Sequence, residues 1–227
     1  YKGDRNDPQR HFRDMVAYAD KAVGQIVAQL EKSSVRDNTL IIFTGDNGTD
    51  TPIVTPWNGT KVVGGKGTMS DTGTRVPLIV NWPAGIRKAG RVVDDLVEFT
   101  DVFPTICEVT TAKLPKNHPG DGASIVPVLR NQAGARKKDW VYIWYRKQVM
   151  VRNKQYSFVA NQDGSNAALT RYKGSFNGKK LKDSDLTKTE RALKKQFEAT
   201  IARLAKARLS TASEEGRIQG LKNKNNR

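Results

Sequence analysis

The sequence predicts an α/β protein: a mostly parallel sheet flanked by helices, followed by a small antiparallel sheet and a terminal helix. Three observations carry that expectation. An amphipathic helix pattern leads into an apolar run with no polar alternation, as suits a strand covered on both faces. A second such run follows the long segment from Gly45 to Gly73. Four segments rich in β-formers, separated by tight breaks, then precede a helix that opens on a capping box.

Asp7-Pro8 supplies an N-cap and a proline at the first helical position, and Phe12, Met15, Val16, Ala19, Val23, Ile26, Val27 and Leu30 recur at helical spacing. A helix over residues 8–32 is expected. After Ser33-Ser34, the run Leu40-Ile41-Ile42-Phe43-Thr44 predicts the first buried strand. Gly45 to Gly73 is rich in Gly, Thr, Asp and Pro and has no hydrophobic period, so it reads as one long loop. Loops beyond about 12–15 residues are uncommon unless functional or disordered. Val76-Pro77-Leu78-Ile79-Val80 predicts a second strand, and residues 101–109 a short helix with Pro104 in its first turn.

The α/β pattern stops near residue 112, which assigns 1–112 to the α/β domain. Residues 113–182 then form a linker and a small antiparallel sheet, with strands at 140–145, 149–152, 156–160 and 168–172 broken at Asn153-Lys154 and Asp163-Gly164. Residues 183–227 form a basic amphipathic helix and a tail, disordered over 221–227. Thr187-Lys188-Thr189-Glu190 fits the capping box, and Leu193, Phe197, Ile201 and Leu204 make one apolar stripe.

The 227 residues are 37% hydrophobic and 27% charged, with no apolar run near the roughly 18 residues of a membrane span. The chain opens at Tyr1, not at a methionine, in a polar stretch, which leaves room for a targeting segment or a whole domain upstream. Cys107 is the only cysteine. No intrachain disulfide or thiolate metal cage can form, and its apolar surroundings predict a buried, inert thiol rather than a nucleophile. The net charge of +16 is uneven: residues 1–110 hold 13 Lys and Arg against 14 Asp and Glu, residues 111–227 hold 26 against 9. A basic partner surface would therefore lie away from the chemistry of the first half.

Gly45-Asp46-Asn47-Gly48 follows a strand directly, at the sheet edge where open α/β folds bind ligands. The Asp46 carboxylate and the Asn47 amide oxygen are hard donors suited to Ca²⁺ or Mg²⁺, although the same residues also make plain turns. In Gly64-Gly65-Lys66-Gly67-Thr68 the flanking glycines leave Lys66 uncovered, as an anion-binding ammonium requires; a solvated loop lysine is the other reading. The spacing is not that of a P-loop.

Together with Thr72-Gly73-Thr74-Arg75-Val76-Pro77, these motifs closely resemble the C-terminal catalytic signature of the formylglycine-dependent sulfatases of arylsulfatase type, in the alkaline-phosphatase-like superfamily. Tyr18-Ala19-Asp20, Asp37-Asn38-Thr39-Leu40, Asp101-Val102-Phe103-Pro104-Thr105 and Asp121-Gly122-Ala123-Ser124 also resemble family segments in family order, over about residues 10–130. The resemblance implies the C-terminal part of a sulfuric ester hydrolase, periplasmic or secreted, acting on a sulfate ester such as a sulfated carbohydrate. It implies that Asp46 and Asn47 ligate a divalent ion, calcium ahead of magnesium, with Asp46 beside the nucleophile. Lys66 would hold the sulfate and stabilise charge on the leaving oxygen, while Arg75 and Pro77 would be structural. The family's nucleophile motif, Cys or Ser followed by x-Pro-x-Arg, is absent here. His11 and His118 do not stand in the family's histidine position. Formylglycine is thus expected upstream, and this chain alone is not expected to turn over substrate.

Three other readings compete. A phosphodiesterase or phosphonate hydrolase of the same superfold would typically carry histidine where Asn47 stands. Residues 111–227 could be a non-catalytic polyanion-binding module centred on the basic helix from Thr187 to Leu209. Nucleic acid is disfavoured there, since no aromatic side chains interleave with the basic ones. The third is a scaffold with a vestigial metal site.

Overall fold

The computed structural model describes residues 7–116, 120–132, 138–172 and 178–209. The expectations for His118 and for the tail over 221–227 lie outside the described residues. The helices are α1 (Pro8–Lys32), α2 (Asp71–Thr74), α3 (Val102–Val109), α4 (Val126–Leu129) and α5 (Lys188–Leu209). The strands are β1 (Ile41–Thr44), β2 (Val54–Trp57), β3 (Thr60–Val63), β4 (Leu78–Asn81), β5 (Trp140–Tyr145), β6 (Gln148–Asn153), β7 (Tyr156–Asn161), β8 (Ala168–Arg171) and β9 (Lys179–Lys180). Two compact units result: Tyr1–Asp94 with Ile125–Lys137, and Asp95–Ser124 with Lys138–Arg227. These units follow spatial packing, whereas residues 112 and 182 mark changes of composition. Among the described residues no helix is long and apolar enough to cross a membrane.

In the first unit, α1 has the expected bounds, and the Asp7 carboxylate accepts the Arg10 N–H at 2.9 Å as an N-cap. Its apolar stripe is not covered, however, and α1 has no buried residue; Met15 is 66% exposed and Ile26 58%. The expected strands form as β1 and β4, but they pair antiparallel, Ile41 opposite Asn81 and Thr44 opposite Leu78. No parallel pair occurs among the described residues. An apolar run reports that a strand packs, not which way it runs. A parallel return needs a crossover of a dozen or more residues, usually a helix that spans the sheet; between β1 and β4 the only helix is the four-residue α2. The Ala84 N–H to Asp37 O bond (3.0 Å) and the Arg36 guanidinium on Asn81 Oδ1 close the opposite end of the pair. Nor are the strands buried on both faces, since Phe43, Leu78 and Ile79 are exposed.

In the second unit the four expected segments form β5 to β8, and β9 adds an edge to one antiparallel sheet in the order β5-β6-β7-β8-β9. Asn153 Oδ1 accepts the Gln155 and Tyr156 N–H groups at the first break, and Gly164 turns at φ +84° at the second. Val151, Phe158 and Leu169 are cross-strand neighbours and are buried; Phe197 of α5 packs on them, with Leu193 and Ile201 beside it. The segments starting at Asp101 and Asp121 are docked together. The Asp101 carboxylate accepts the Glu98 N–H at 2.9 Å and the Ala123 N–H at 2.8 Å, and a Cβ on Gly122 would lie 1.9 Å from Thr100 O. Buried Lys138 joins this junction to β5 through Glu98 and Asp121. Burial still pushes the Glu98 carboxyl above its ordinary value, against the hydrogen bonds from Lys138 and the Tyr142 N–H. Cys107 is a buried free thiol, as expected.

The capping box at α5 is formed and extends into the sheet. Thr187 N–H donates to Glu190 Oε2 at 3.0 Å, and Glu190 N–H donates to Thr187 Oγ1 at 3.2 Å. The other carboxylate oxygen accepts from Tyr156 Oη (3.1 Å) and the Arg171 guanidinium (Nε at 2.9 Å). The Thr187 N–H bond first, aided by Arg171, the Thr187 hydroxyl and Tyr156, lowers the Glu190 carboxyl to about 2 against the cost of burial. Its folded-state pKa lies below its ordinary 4.5, so the stability it contributes is complete above about 4.5 and is lost as pH falls towards about 2. Denaturant unfolding at pH steps through that window is expected to show falling stability, with a shallower fall for Glu190→Gln. Identical pH profiles for the two proteins would refute this role.

Candidate active site

Antiparallel pairing sets Thr44, the end of β1, opposite Leu78, the start of β4. Residues 45–77 are therefore one excursion that leaves and re-enters the same sheet edge, and all the candidate site residues lie on it. The excursion is not a plain loop. Val54–Trp57 and Thr60–Val63 pair antiparallel around Asn58-Gly59, both at positive φ (45° and 75°), as in the turns that match strand twist. The sequence signal was Asn-Gly between two β-forming runs, obscured by the surrounding Gly, Thr and Pro.

Three stretches of backbone cross at the base of this hairpin. Gly48 N–H donates to Gly73 O at 2.9 Å, Lys66 N–H to Thr49 O at 3.0 Å, and Gly64 N–H to Ile53 O at 2.8 Å. Glycine is needed where they touch. A Cβ on Gly48 would lie 1.9 Å from Thr72 O, on Gly64 2.0 Å from Asp50 O, and on Gly73 2.3 Å from Thr68 O. The glycines beside Lys66 thus do more than uncover a side chain; they let strands of loop pass against each other. Hydroxyls brace the third stretch: Thr68 Oγ1 donates to Gly65 O at 2.7 Å, and Thr68, Ser70 and Thr72 are linked at 2.7 and 3.1 Å. Beneath them Asp71 is buried, a residue that periodicity and spacing did not single out.

Asp46, Asn47 and Lys66 are all exposed on this frame. Asn47 Nδ2 donates to Gly48 O at 3.2 Å, which engages the amide nitrogen and keeps the amide oxygen for a ligand. Gly67, at φ +82°, turns the chain sharply after Lys66, whose backbone is tied to the residue two positions past Asn47. The exposed Arg75 closes α2 with its N–H on Asp71 O (2.8 Å). Among the described residues no group of three or more His, Cys, Asp or Glu could hold a metal. Asp46 and Asn47 fit a hard divalent cation in donor type, but they supply two of the roughly 6–8 oxygens that calcium takes.

The fold matches the structure of a protein solved in complex with its substrate D-glucosamine-2-N,6-O-disulfate, at a TM-score of 0.65 and 22% identity over 84% of this chain and 40% of that one. That likeness shows a shared fold. A family model described as sulfatase matches residues 4–112, and one described as N-sulphoglucosamine sulphohydrolase, C-terminal, matches residues 63–206. The chain belongs to the sulfatase family. It is 33% identical over 137 residues to the steryl-sulfatase of Mus musculus, covering 58% of this chain and 22% of that protein. It is 31% identical over 181 residues to a sulfatase of Formosa agariphila, covering 73% of this chain and 32% of that protein. The chain thus spans about a fifth to a third of these two relatives.

Proposed function

We propose that this chain is the C-terminal part of a sulfuric ester hydrolase and supplies half of its active site. The observation that carries the reading is the glycine-locked crossing that fixes the Asp46-Asn47 turn and Lys66 on one sheet edge. Asp46 and Asn47 would hold a divalent ion, calcium by preference for all-oxygen donors, with Asp46 beside the nucleophile. When bound, that ion supplies positive charge facing the sulfate. Lys66 would bind a sulfate oxygen and stabilise the leaving oxygen as the S–O bond breaks. A formylglycine nucleophile, the remaining ligands and a parallel sheet belong to the upstream portion in this reading. A sulfated carbohydrate is the substrate class, supported by the match over residues 63–206 to a family named for a sulfated sugar.

Asn47 favours a sulfatase over a phosphonate hydrolase, which would call for an imidazole there. Calcium titration of the full-length protein, read by calorimetry, tests the site. Asp46→Ala is expected to weaken binding by about tenfold or more and to lower hydrolysis with it, because the site loses one of its charged oxygen ligands. Equal affinity in wild type and variant would overturn the assignment.

A further inference from the structure

We propose that the outer face of α5 and the β9 edge form a binding surface for a sulfated polysaccharide, separate in the chain from the loop that carries Asp46, Asn47 and Lys66. The inference rests on the sulfatase reading for its choice of polymer, and on the second unit alone for its geometry. The apolar side of α5 is spent on the sheet, through Leu193, Phe197 and Ile201. On the opposite side Lys188, Arg191 and Lys195 are exposed, Ala192 between them is small and exposed, and Ala199 and Ala202 continue the same low face beyond Lys195. Lys188 and Lys195 are two helical turns apart, about 10 Å along the axis. The cations therefore stand along a low floor that a stiff polymer can lie against.

Lys179, Lys180 and Lys182 extend the same surface. They are exposed on and just after the edge strand. The turn that follows is held to α5 by Lys194 Nζ on the Asp183 carboxylate (2.7 Å) and by Arg191 Nη1 on Asp183 O (3.4 Å). That pairing neutralises Asp183, and Arg171 consumes the buried Glu190. Asp185 and Glu198 are the remaining exposed acids of this stretch. Among the described residues, Lys179, Lys180, Lys182, Lys188 and Lys195 have no acidic partner within ion-pair distance. Lysine on an edge strand also discourages strand pairing, but the helix cations serve no such end. Cations that are not used to hold the fold raise the local concentration of a polyanion. The exposed helix face carries no aromatic side chain on which bases would stack, which favours sulfate over nucleic acid.

Deleting α5 would unseat Phe197 from the core, so charge reversal is the informative change. The 227-residue chain and its Lys182→Glu/Lys188→Glu/Lys195→Glu variant would be titrated with heparin over a range of salt, alongside single-stranded DNA of matched charge. A charge-preserving variant, Lys182→Arg/Lys188→Arg/Lys195→Arg, is the control. The expected result is heparin binding at least about tenfold weaker in the reversed variant and unchanged in the control. The slope of log affinity against log salt should shrink by about 2–3, near one for each cation removed from the surface. Equal heparin affinity in wild type and reversed variant would overturn the proposal, as would tighter binding of the DNA than of heparin. Binding is read without hydrolysis. If the full-length protein cleaves no sulfate ester while this heparin difference persists, the enzymatic reading fails and the surface does not.

Discussion

Lys66→Ala in the full-length enzyme is expected to lower kcat on a sulfate ester by about 10²–10³-fold, the loss seen when one preorganised donor to developing charge is removed. The substrate already carries a full negative charge, and more charge gathers on the leaving oxygen as the S–O bond lengthens. If Lys66 holds the sulfate, an ammonium whose backbone is fixed by the bond to Thr49 O would meet that charge from a set position on the loop. Gly67 at φ +82° turns the chain sharply just after Lys66. Because the interaction grows towards the transition state, kcat should fall more than KM rises. Lys66→Arg should recover only part of the rate, since a planar guanidinium does not reproduce a compact ammonium in a tight loop. Steady-state kinetics on an aryl sulfate would decide. A variant with normal kcat would remove Lys66 from the chemistry, and a change confined to KM would make it a binding residue only.

The elements that were legible in the sequence are those whose signals are local. Asp7-Pro8 and Thr187 with Glu190 mark helix starts through side chains that bond to their own first turn, and both helices begin there. Asn153 marks a hairpin break in the same way, through its side-chain oxygen, and Gly164 marks another through its positive φ. Strand direction was not legible, because Leu40 to Thr44 and Val76 to Val80 carry the same apolar pattern whichever way they pair. The exposed stripe of α1 is a related case: periodicity shows that Met15, Val16 and Ile26 share a face, and it is silent on what covers that face. At the site, the resemblance to the sulfatases proposed Asp46, Asn47 and Lys66, and the bond from Lys66 N–H to Thr49 O joins the backbone of their two motifs. The crossing at Gly48, Gly64 and Gly73 was not legible, since it joins residues up to 25 positions apart through backbone atoms that no side-chain pattern encodes.

That crossing makes the second large prediction. Gly48→Ala in the full-length enzyme is expected to cost about 10²-fold in activity, although residue 48 offers no side chain to substrate or metal. Its new Cβ would sit 1.9 Å from Thr72 O and 2.7 Å from Gly73 Cα. Both obstacles are backbone, so no rotamer relieves them, and the segments must separate. Separation lengthens the Gly48 N–H to Gly73 O bond and moves Asp46 and Asn47 relative to Lys66. A misplacement of about 1 Å is enough for a loss of that order. Gly24→Ala is the contrast: a Cβ there meets nothing within 4 Å, and alanine in a helix interior should raise stability by about 0.5–1 kcal/mol with activity intact. Calcium affinity and kcat measured together separate the causes. If Gly48→Ala keeps both, the crossing does not position the site; if it loses both while the thermal midpoint stays near that of wild type, the loss is local to the loop. The glycines around Asp46 and Lys66 then act as positioning residues, through the backbone they allow to meet.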